Sequence, residues 1–572
     1  MKKTENTTPS ESAPNESRRS FLGNLGKAAI STAAVAAVGA ETVSAQKSKA
    51  DAQEHIENLA PAAFSVRSIA CYQLRVGAAQ WNLKNAQLSG SRPDNKDESL
   101  YPNRIGNYSK GLPHLSNGEV SPSAYNAFIA AVNSKKHADF ETIPMGGDRK
   151  LTNPQSGLAF DLEGSDPYSC TMPPPPAFAS REIAAEIAEN YWMALLRDVP
   201  FTDYANDPIA NAAAEDLTLF GADFKAPKDE AGDVTTSLLF RGLTPGDKAG
   251  PLMSQFWYLP CNFGSNEVNQ RIRTVRGIAD GGRNYMTNFN SWLSAQNGVT
   301  PSENQIFDST ARYMRNGRDL GEWVHVDVLF QGYFQAFLCL AGMNAPVDAG
   351  NPYRDSATQA GFGTFGGPHI ATMLCEVSTR ALKAVWNQKW FVHRRLRPEA
   401  FAGRIDRTLY HSANYPVHSE ILNSILTNTR LGKYMPAGNA LLPQAFPEGS
   451  PTHPAYGAGH ATVAGACTTI LKAWFDESTV IQNPVVPDAT GTVLVPYAGT
   501  ENLTVGGELN KIASNVALGR NMAGVHWRSD ATESLKLDEA IALSVLRDQK
   551  ACYNEPFSGF TLTKFDGTTI TV

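Results

Sequence analysis

Apolar residues recur along most of this chain at steps of three and four, the period of helices that bury one face. The clearest run follows Ser180: Ile183, Ile187, Tyr191, Ala194 and Leu195 share a face, with Glu182, Glu186 and Glu189 between them. Ser180 is a residue type that caps a helix start by accepting from its free N–H groups. Further amphipathic runs cover 204–219, 266–277, 286–295, 309–314 and 320–343. Ile370 to Trp386 sets Met373, Leu374, Val377, Ala381 and Val385 on one face and delivers Lys389 at its C-terminal end. Ala461 to Phe475 also reads as helix, as does Glu508 to His526, which ends near Gly524. The segments 88–117 and 140–178, the latter with Pro173 to Pro176 consecutive, are rich in turn-forming residues and read as loop. The tail from Phe560 alternates around Asp566-Gly567, as a β-hairpin does. The fold class that follows is mainly α, helical bundles with small β-hairpins, one of them at the C-terminus.

Composition narrows the partners. A formal net charge of -6 over 572 residues argues against a nucleic-acid binder, so any cationic site is local. Seven cysteines occur with no C-x-x-C pair, which disfavours zinc; the odd count leaves at least one thiol unpaired. Cys339, Cys375 and Cys467 fall in apolar helical runs and read as core. Residues 1–45 read as a twin-arginine export signal: Arg18-Arg19 precede the Ala-rich run 28–40 and the small-residue site Val43-Ser44-Ala45. That apolar run is too short for a bilayer span, and export by this route gives a periplasmic or extracellular product. Residues 46–63 read as a linker, 64–330 as an N-terminal helical half used for packing and oligomer contacts, and 331–572 as the half that carries the site.

Three stretches carry the chemistry. In Ser450-Pro-Thr-His-Pro-Ala-Tyr-Gly-Ala-Gly-His-Ala-Thr462, His453 and His460 flank a Pro/Gly/Ala run, and Gly459-His460 opens a helix. Free N–H groups and the positive dipole end make such a start an oxyanion site, and glycine lets the ligand approach. Lys389 to Arg397 places four fixed cations in nine positions. Pro398 pushes Arg397 toward an extended conformation, so Lys389 and Arg397 face one pocket, while Arg394 and Arg395 read as surface or ion-paired. Around the end of the third stretch lie Arg520, His526 and Asp530. Asp530 reads either as a helix-capping pair with Glu533 or as the carboxylate that orients the His526 ring. Asp327, in the apolar run Val-His-Val-Asp-Val, needs a buried partner, and Arg520 is the expected one. Three cations, one N–H donor and two imidazoles suit a tetrahedral or trigonal-bipyramidal oxyanion bonded to one imidazole, with the other handling protons.

The pattern Lys389…Arg397-Pro398, Gly459-His460, Arg520…His526 resembles the vanadium-dependent haloperoxidases, whose oxyanion pocket is shared with a superfamily of acid phosphatases. His453, seven residues before His460, and the eight-residue spacing from Lys389 to Arg397 resemble the bromoperoxidase branch of red algae and cyanobacteria. So do Tyr191-Trp-Met-Ala-Leu-Leu-Arg, Gly250-Pro-Leu-Met-Ser-Gln-Phe, Phe365-Gly-Gly-Pro-His and Ala445-Phe-Pro-Glu-Gly-Ser-Pro. The resemblance implies helical bundles around a vanadate pocket and a large homo-oligomer of dodecamer size. It implies that His526 bonds vanadium and that Lys389, Arg397, Arg520 and the Gly459 N–H hold the vanadate oxygens. His460 would serve as acid-base on bound peroxide, with Lys389 polarising it for attack by bromide or iodide to give hypohalous acid, which halogenates an organic acceptor. His453 makes one wall polar, which favours bromide over chloride; Trp386 is an aromatic that would line the halide side. Ala458 stands where relatives often carry a serine that bonds vanadate. Some relatives hold calcium before Gly361-Phe362; Gln359 fits that loop, but Ala357 stands where a carboxylate would help. Two alternatives stay open: a phosphomonoesterase with His526 as nucleophile and His460 as acid, and a noncatalytic phosphate-binding or shell-forming export protein.

Overall fold

The computed structural model describes residues 66–85, 93–427 and 438–572; the segments 1–45 and 46–63 lie outside the described residues. Eight of its helices set the architecture around the site: α1 (Arg181–Leu196), α2 (Gly317–Val326), α3 (Gln331–Gly342), α4 (Gly367–Asn387), α5 (Pro398–Tyr410), α6 (Gly459–Trp474), α7 (Val505–Met522) and α8 (Arg528–Lys550). α6 is the central post. Its Ala, Gly, Thr, Cys and Ile leave no polar face, every residue but His460 is buried, and α4, α7 and α8 pack around it. Gly465 allows the closest approach, since a Cβ there would meet the Leu535 carbonyl oxygen of α8 at 2.4 Å.

The periodic faces read from the sequence are the buried ones. Met373, Val377 and Ala381 of α4 share a core with Val463 and Ile470 of α6 and Ile512 and Val516 of α7. Ile183, Ile187 and Tyr191 of α1 meet Phe401 and Ile405 of α5 and Trp527 in a second core. Each such aliphatic or aromatic side chain contributes about 1.5–3 kcal/mol when fully buried. Ser180 caps α1, accepting from the Ile183 N–H at 3.2 Å, and Asn316 and Thr504 cap α2 and α7 in the same way. Pro398 occupies the first turn of α5 behind an extended Arg397.

Three runs depart from the helical expectation. The 266–277 and 309–314 segments are strands: Ile272–Val275 pairs antiparallel with Phe307–Arg312, and Asn266–Glu267 pairs with Asn262–Phe263. Apolar runs this short do not separate helix from strand, and the cross-strand partner decides. The 320–343 run is two helices, α2 and α3, bent by 102° at a break that holds Asp327. The C-terminal hairpin is present, with Thr561–Thr563 against Thr569–Thr571 and Gly567 at φ +85° in its turn. Residues Leu74–Val572 form one compact unit; of Met1–Gln73, only the start of the helix Val66–Asn85 is described. Among the described residues, no single helix is long and apolar enough to cross a membrane.

Candidate active site

α4 runs directly into a π-helical turn, Gln388–His393, whose wider winding sets Lys389 facing inward. Lys389 is fully buried; its Nζ donates to His453 Nδ1 at 2.8 Å and lies 4.6 Å from the centre of the Trp386 ring. After the turn the chain extends through Arg397, as the following proline requires. Arg397 Nε and Nη2 donate to the His453 carbonyl at 3.0 and 2.8 Å, and Nη1 donates to the Val525 carbonyl at 2.7 Å. Its Nη1 also lies 2.8 Å from His526 Nε2, and Nη2 lies 2.9 Å from His453 Nδ1. Arg520, in the last turn of α7, donates to the Val324 carbonyl at 2.5 Å and stands 5.7 Å from the Phe446 ring centre. The loop that carries His453 is anchored upstream by a buried ion pair. Glu399 Oε1 lies 2.5 Å from Lys110 Nζ, and the same carboxylate accepts from the Ser450 N–H and hydroxyl.

These partners fix the imidazole tautomers. Asp530 Oδ2 lies 2.8 Å from His526 Nδ1, so Nδ1 carries the proton and Nε2 keeps its lone pair, facing Arg397. Burial first, then Arg397, Lys389 and Arg520, hold His526 well below the usual histidine value, so the ring is neutral and competent to bond a metal. His453 Nδ1 faces two cationic donors and therefore accepts; its 3.2 Å approach to the Pro454 carbonyl is a contact between acceptors in that tautomer, and the cations decide. Burial, Lys389 and Arg397 keep His453 neutral too. His460 Nε2 meets Asp327 Oδ1 at 2.9 Å, which leaves Nδ1 as its exchangeable position. Burial lowers its pKa, against the pull of Asp327.

The cations are starved of counter-charge. Burial and mutual repulsion push Lys389 well below its ordinary value, and Arg397 falls to about 10 from the same causes, with Asp530 opposing. Burial alone drives Arg520 to about 10, against Asp327 and Glu448. Its buried Nε has no partner among the described residues. At an effective dielectric near 20, an anion about 4 Å from one such cation gains roughly 4 kcal/mol before desolvation.

His453, Gly459, His460, Arg520, His526 and Trp386 line one cavity of about 290 Å³. Gly459 fits closely there, because a Cβ would come within 3.1 Å of the Trp386 ring. The N–H groups of Gly459, His460 and Ala461 open α6 without intrahelical acceptors. The cavity is completed by residues the sequence reasoning missed, among them Arg149, His325, Phe446 and Glu448. His325 stacks on Phe446 at 3.7 Å with Nε2 2.6 Å from Glu448 Oε1. Burial works against charge on His325, but Glu322 and Glu448 together raise it above the usual value. Its signal was its place two residues before Asp327; Phe446 and Glu448 lie in the Ala445–Pro451 segment.

Two expectations change, those for Asp327 and Ala458; the reading of Asp530 resolves to the carboxylate that orients His526, and Arg394 and Arg395 are ion-paired as expected. The partner of Asp327 is His460 rather than Arg520: Asp327 ends α2, from where its carboxylate reaches the imidazole, while Arg520 is turned onto a backbone carbonyl. Asp530 caps the Trp527 N–H at 3.1 Å and orients His526 with the same oxygen, whereas Glu533 pairs on the surface with Lys536. Arg394 and Arg395 are ion-paired, and Arg395 is buried: it bonds Glu186 at 2.8 Å and Asp530 at 2.9 Å, and Arg394 bonds Glu98 at 3.1 Å. Ala458 is the N-cap of α6, packed with Ala461, Ala517, Leu518 and Ala531, and does not line the cavity. Among the described residues no group of three or more His, Cys, Asp or Glu side chains is placed to hold a metal ion, so an ion bonded through one imidazole must bring its own oxygens.

A mainly helical fold with a buried, uncompensated cationic pocket and one unprotonated imidazole nitrogen defines an oxyanion-binding protein able to bond the anion's central atom. A family model described as the VCPO second helical-bundle domain matches residues 378–555. The chain is 36% identical to the vanadium-dependent bromoperoxidase of Corallina pilulifera, over 88% of this chain and 98% of that one. It is 35% identical to the vanadium-dependent bromoperoxidase of Ascophyllum nodosum, over 81% and 86% of the two chains. The homohexameric structure of the second vanadate-dependent bromoperoxidase of Ascophyllum nodosum superposes with a TM-score of 0.82 at 29% identity, covering 96% of this chain and 95% of that one. The chain belongs to the vanadium-dependent bromoperoxidase family. The pocket fits vanadate: its unpartnered Arg520 Nε, the Gly459 N–H and the unprotonated His526 Nε2 are the complements of a multiply charged oxyanion with an open coordination position.

Proposed function

We propose that this protein is a vanadate-dependent haloperoxidase that oxidises bromide and iodide with hydrogen peroxide to hypohalous acid, which then halogenates an organic acceptor. The observation that carries the reading is the neutral His526, with Nδ1–H on Asp530 and an unprotonated Nε2 facing Arg397, among three cations that have no carboxylate partner among the described residues. Lys389, Arg397, Arg520 and the Gly459 N–H would hold vanadate, and His526 Nε2 would be its protein ligand. Bound there, vanadate supplies a Lewis-acidic centre that activates peroxide without changing oxidation state. His460 takes and returns protons at Nδ1 while Asp327 holds Nε2, and the half-buried setting lets it exchange with water, its side chain being 17% exposed. Lys389 keeps an N–H available because His453 holds its ammonium group in place, and Trp386 excludes water from its other side.

The homohexameric relative supports a homo-oligomer; sedimentation of the mature protein distinguishes a hexamer from a dodecamer. Export through the twin-arginine route is part of the same proposal and rests on the Arg18-Arg19 pattern; replacing both with lysine blocks export if it is right. The deciding experiment is vanadium content together with bromide oxidation, with and without added vanadate, beside a phosphomonoesterase assay. His526→Ala abolishes vanadate-dependent turnover, and His460→Ala keeps bound vanadate but loses turnover. A folded protein that hydrolyses phosphomonoesters and leaves bromide untouched overturns the reading.

A further inference from the structure

Outside the active site, Cys261 and Cys339 meet in the core beneath the strand pair Asn262–Phe263 and Asn266–Glu267. Cys261 directly precedes the first strand, and Cys339 lies on the buried side of α3; they are 4% and 1% exposed. Gln270 Nε2, which donates to the Leu259 and Phe256 carbonyls at 3.1 and 3.3 Å, touches both sulphurs as well, 3.6 Å from Cys261 Sγ and 3.8 Å from Cys339 Sγ. Cys339 Sγ donates to the Leu259 carbonyl at 3.5 Å, so this thiol keeps its proton. The two thiols are near enough to shift each other's titration, Cys261 downward and Cys339, with burial, upward. With the Cys339 proton held on a carbonyl, and with residues 262–267 beside Cys261 exposed to solvent, Cys261 is the sulphur that peroxide meets first. All seven cysteines are thiols in this structure.

We propose that Cys261 and Cys339 are a peroxide-driven disulfide pair. The Cys261 thiolate attacks hydrogen peroxide, the O–O bond breaks, and hydroxide leaves and is protonated to water, giving a sulfenic acid on Cys261. Cys339 sulphur then attacks Cys261 sulphur; hydroxide leaves and, with the Cys339 proton, forms a second water. Two thiols lose two electrons and two protons, and one peroxide becomes two waters. The oxidant rests on the functional reading only for its source, because hydrogen peroxide is the co-substrate there. The bond closes the segment from 261 to 339, which contains α2, His325 and Asp327, and so constrains the chain that supplies the His460 partner. Cross-linking a loop of this length stabilises mainly by restricting the unfolded chain.

The test uses the full-length protein, treated with hydrogen peroxide with and without vanadate, alkylated in denaturant, digested without reductant and mapped by mass spectrometry. The expected result is a Cys261–Cys339 linked peptide under both conditions, absent after dithiothreitol, with a melting temperature that rises on oxidation and falls back on reduction. In Cys339→Ser, Cys261 is trapped as a dimedone adduct, whereas in Cys261→Ser the Cys339 thiol stays open to alkylation. Both cysteines alkylated after peroxide, either one linked to a different cysteine, or dimedone on Cys339 overturns the proposal. None of these readouts uses halide oxidation, so failure here and failure of the functional reading are separate results.

Discussion

Replacing Asp530 with asparagine changes one oxygen to an NH₂ group in a fully buried position where three donors converge. His526 Nδ1 and the Trp527 N–H point at Oδ2, at 2.8 and 3.1 Å, and Arg395 Nη1 points at Oδ1 at 2.9 Å. An amide offers one acceptor oxygen. If it faces Arg395, the NH₂ group faces His526 and turns the ring to the tautomer with hydrogen on Nε2, which removes the lone pair that would bond vanadium. If it faces His526, an N–H is driven against a guanidinium. Losing a hydrogen bond to a charged group costs about 1.5–3 kcal/mol, so the fold weakens but survives, because Arg395 retains Glu186. Losing the carboxylate behind a metal-bound histidine costs about 10–100-fold in metal affinity, or about 1.4–2.7 kcal/mol. Titration of metal-free wild type and Asp530→Asn with vanadate reads the affinity, and ¹⁵N-histidine NMR reads the tautomer. An Asp530→Asn protein that is folded, binds vanadate as the wild type does and keeps hydrogen on Nδ1 refutes the reasoning.

Asp327→Asn removes the anion behind His460, so kcat for bromide oxidation falls at least about tenfold while the vanadate dissociation constant holds; equal losses in both measurements would place Asp327 in vanadate binding instead. Ala458→Ser gives α6 a cap residue whose oxygen accepts a first-turn N–H, so the metal-free protein gains about 0.5–2 kcal/mol, read by thermal melting, while vanadate affinity read by titration holds, because position 458 packs against Ala517 and Ala531 and does not line the cavity. Lys472 is buried on Asn510, the Thr563 carbonyl and the Phe565 ring, and burial lowers it to about 8. The unfolded chain then holds its proton up to about 10.5 while the native chain has released it, so wild type gains about 3 kcal/mol relative to Lys472→Met between pH 8 and 10.5; parallel melting curves across that range would contradict this. His453→Phe makes the cavity wall drier and raises chloride turnover relative to bromide in steady-state assays at saturating peroxide; an unchanged ratio removes His453 from halide selection.

Local pattern carried the helices because their cores are built from it. α1, α4 and α7 bury the faces their periodicity marks, and Pro398 shapes Arg397 through a one-residue steric rule. The site residues were legible as spacings, since Lys389 and Arg397 bracket one turn and Gly459-His460 opens one helix. What escaped depends on partners distant in sequence. The Ile272–Val275 strand exists because Phe307–Arg312 lies beside it, and the apolar run through Asp327 bends there because that carboxylate is turned to His460, 133 residues away. His325 and Glu448 form a cavity wall only once α2 and the loop before His453 are brought together.

What separates the working cations from the structural ones is the partner each one meets, not its charge. Arg394, Arg395 and Arg528 each bond a carboxylate, Glu98, Glu186 with Asp530, and Glu189 respectively. Arg397 is as deeply buried as Arg395 and Arg520 is buried too, yet they donate to the carbonyls of His453, Val525 and Val324, and Lys389 donates to an imidazole. A carbonyl holds a guanidinium in place without cancelling its charge. A carboxylate in its stead would compete with the ligand, and the attraction of about 4 kcal/mol per cation would be spent inside the protein. Arg395 and Arg397, two residues apart, thus do opposite work: the first fixes the carboxylate that orients His526, and the second keeps its positive charge for the anion that His526 would hold.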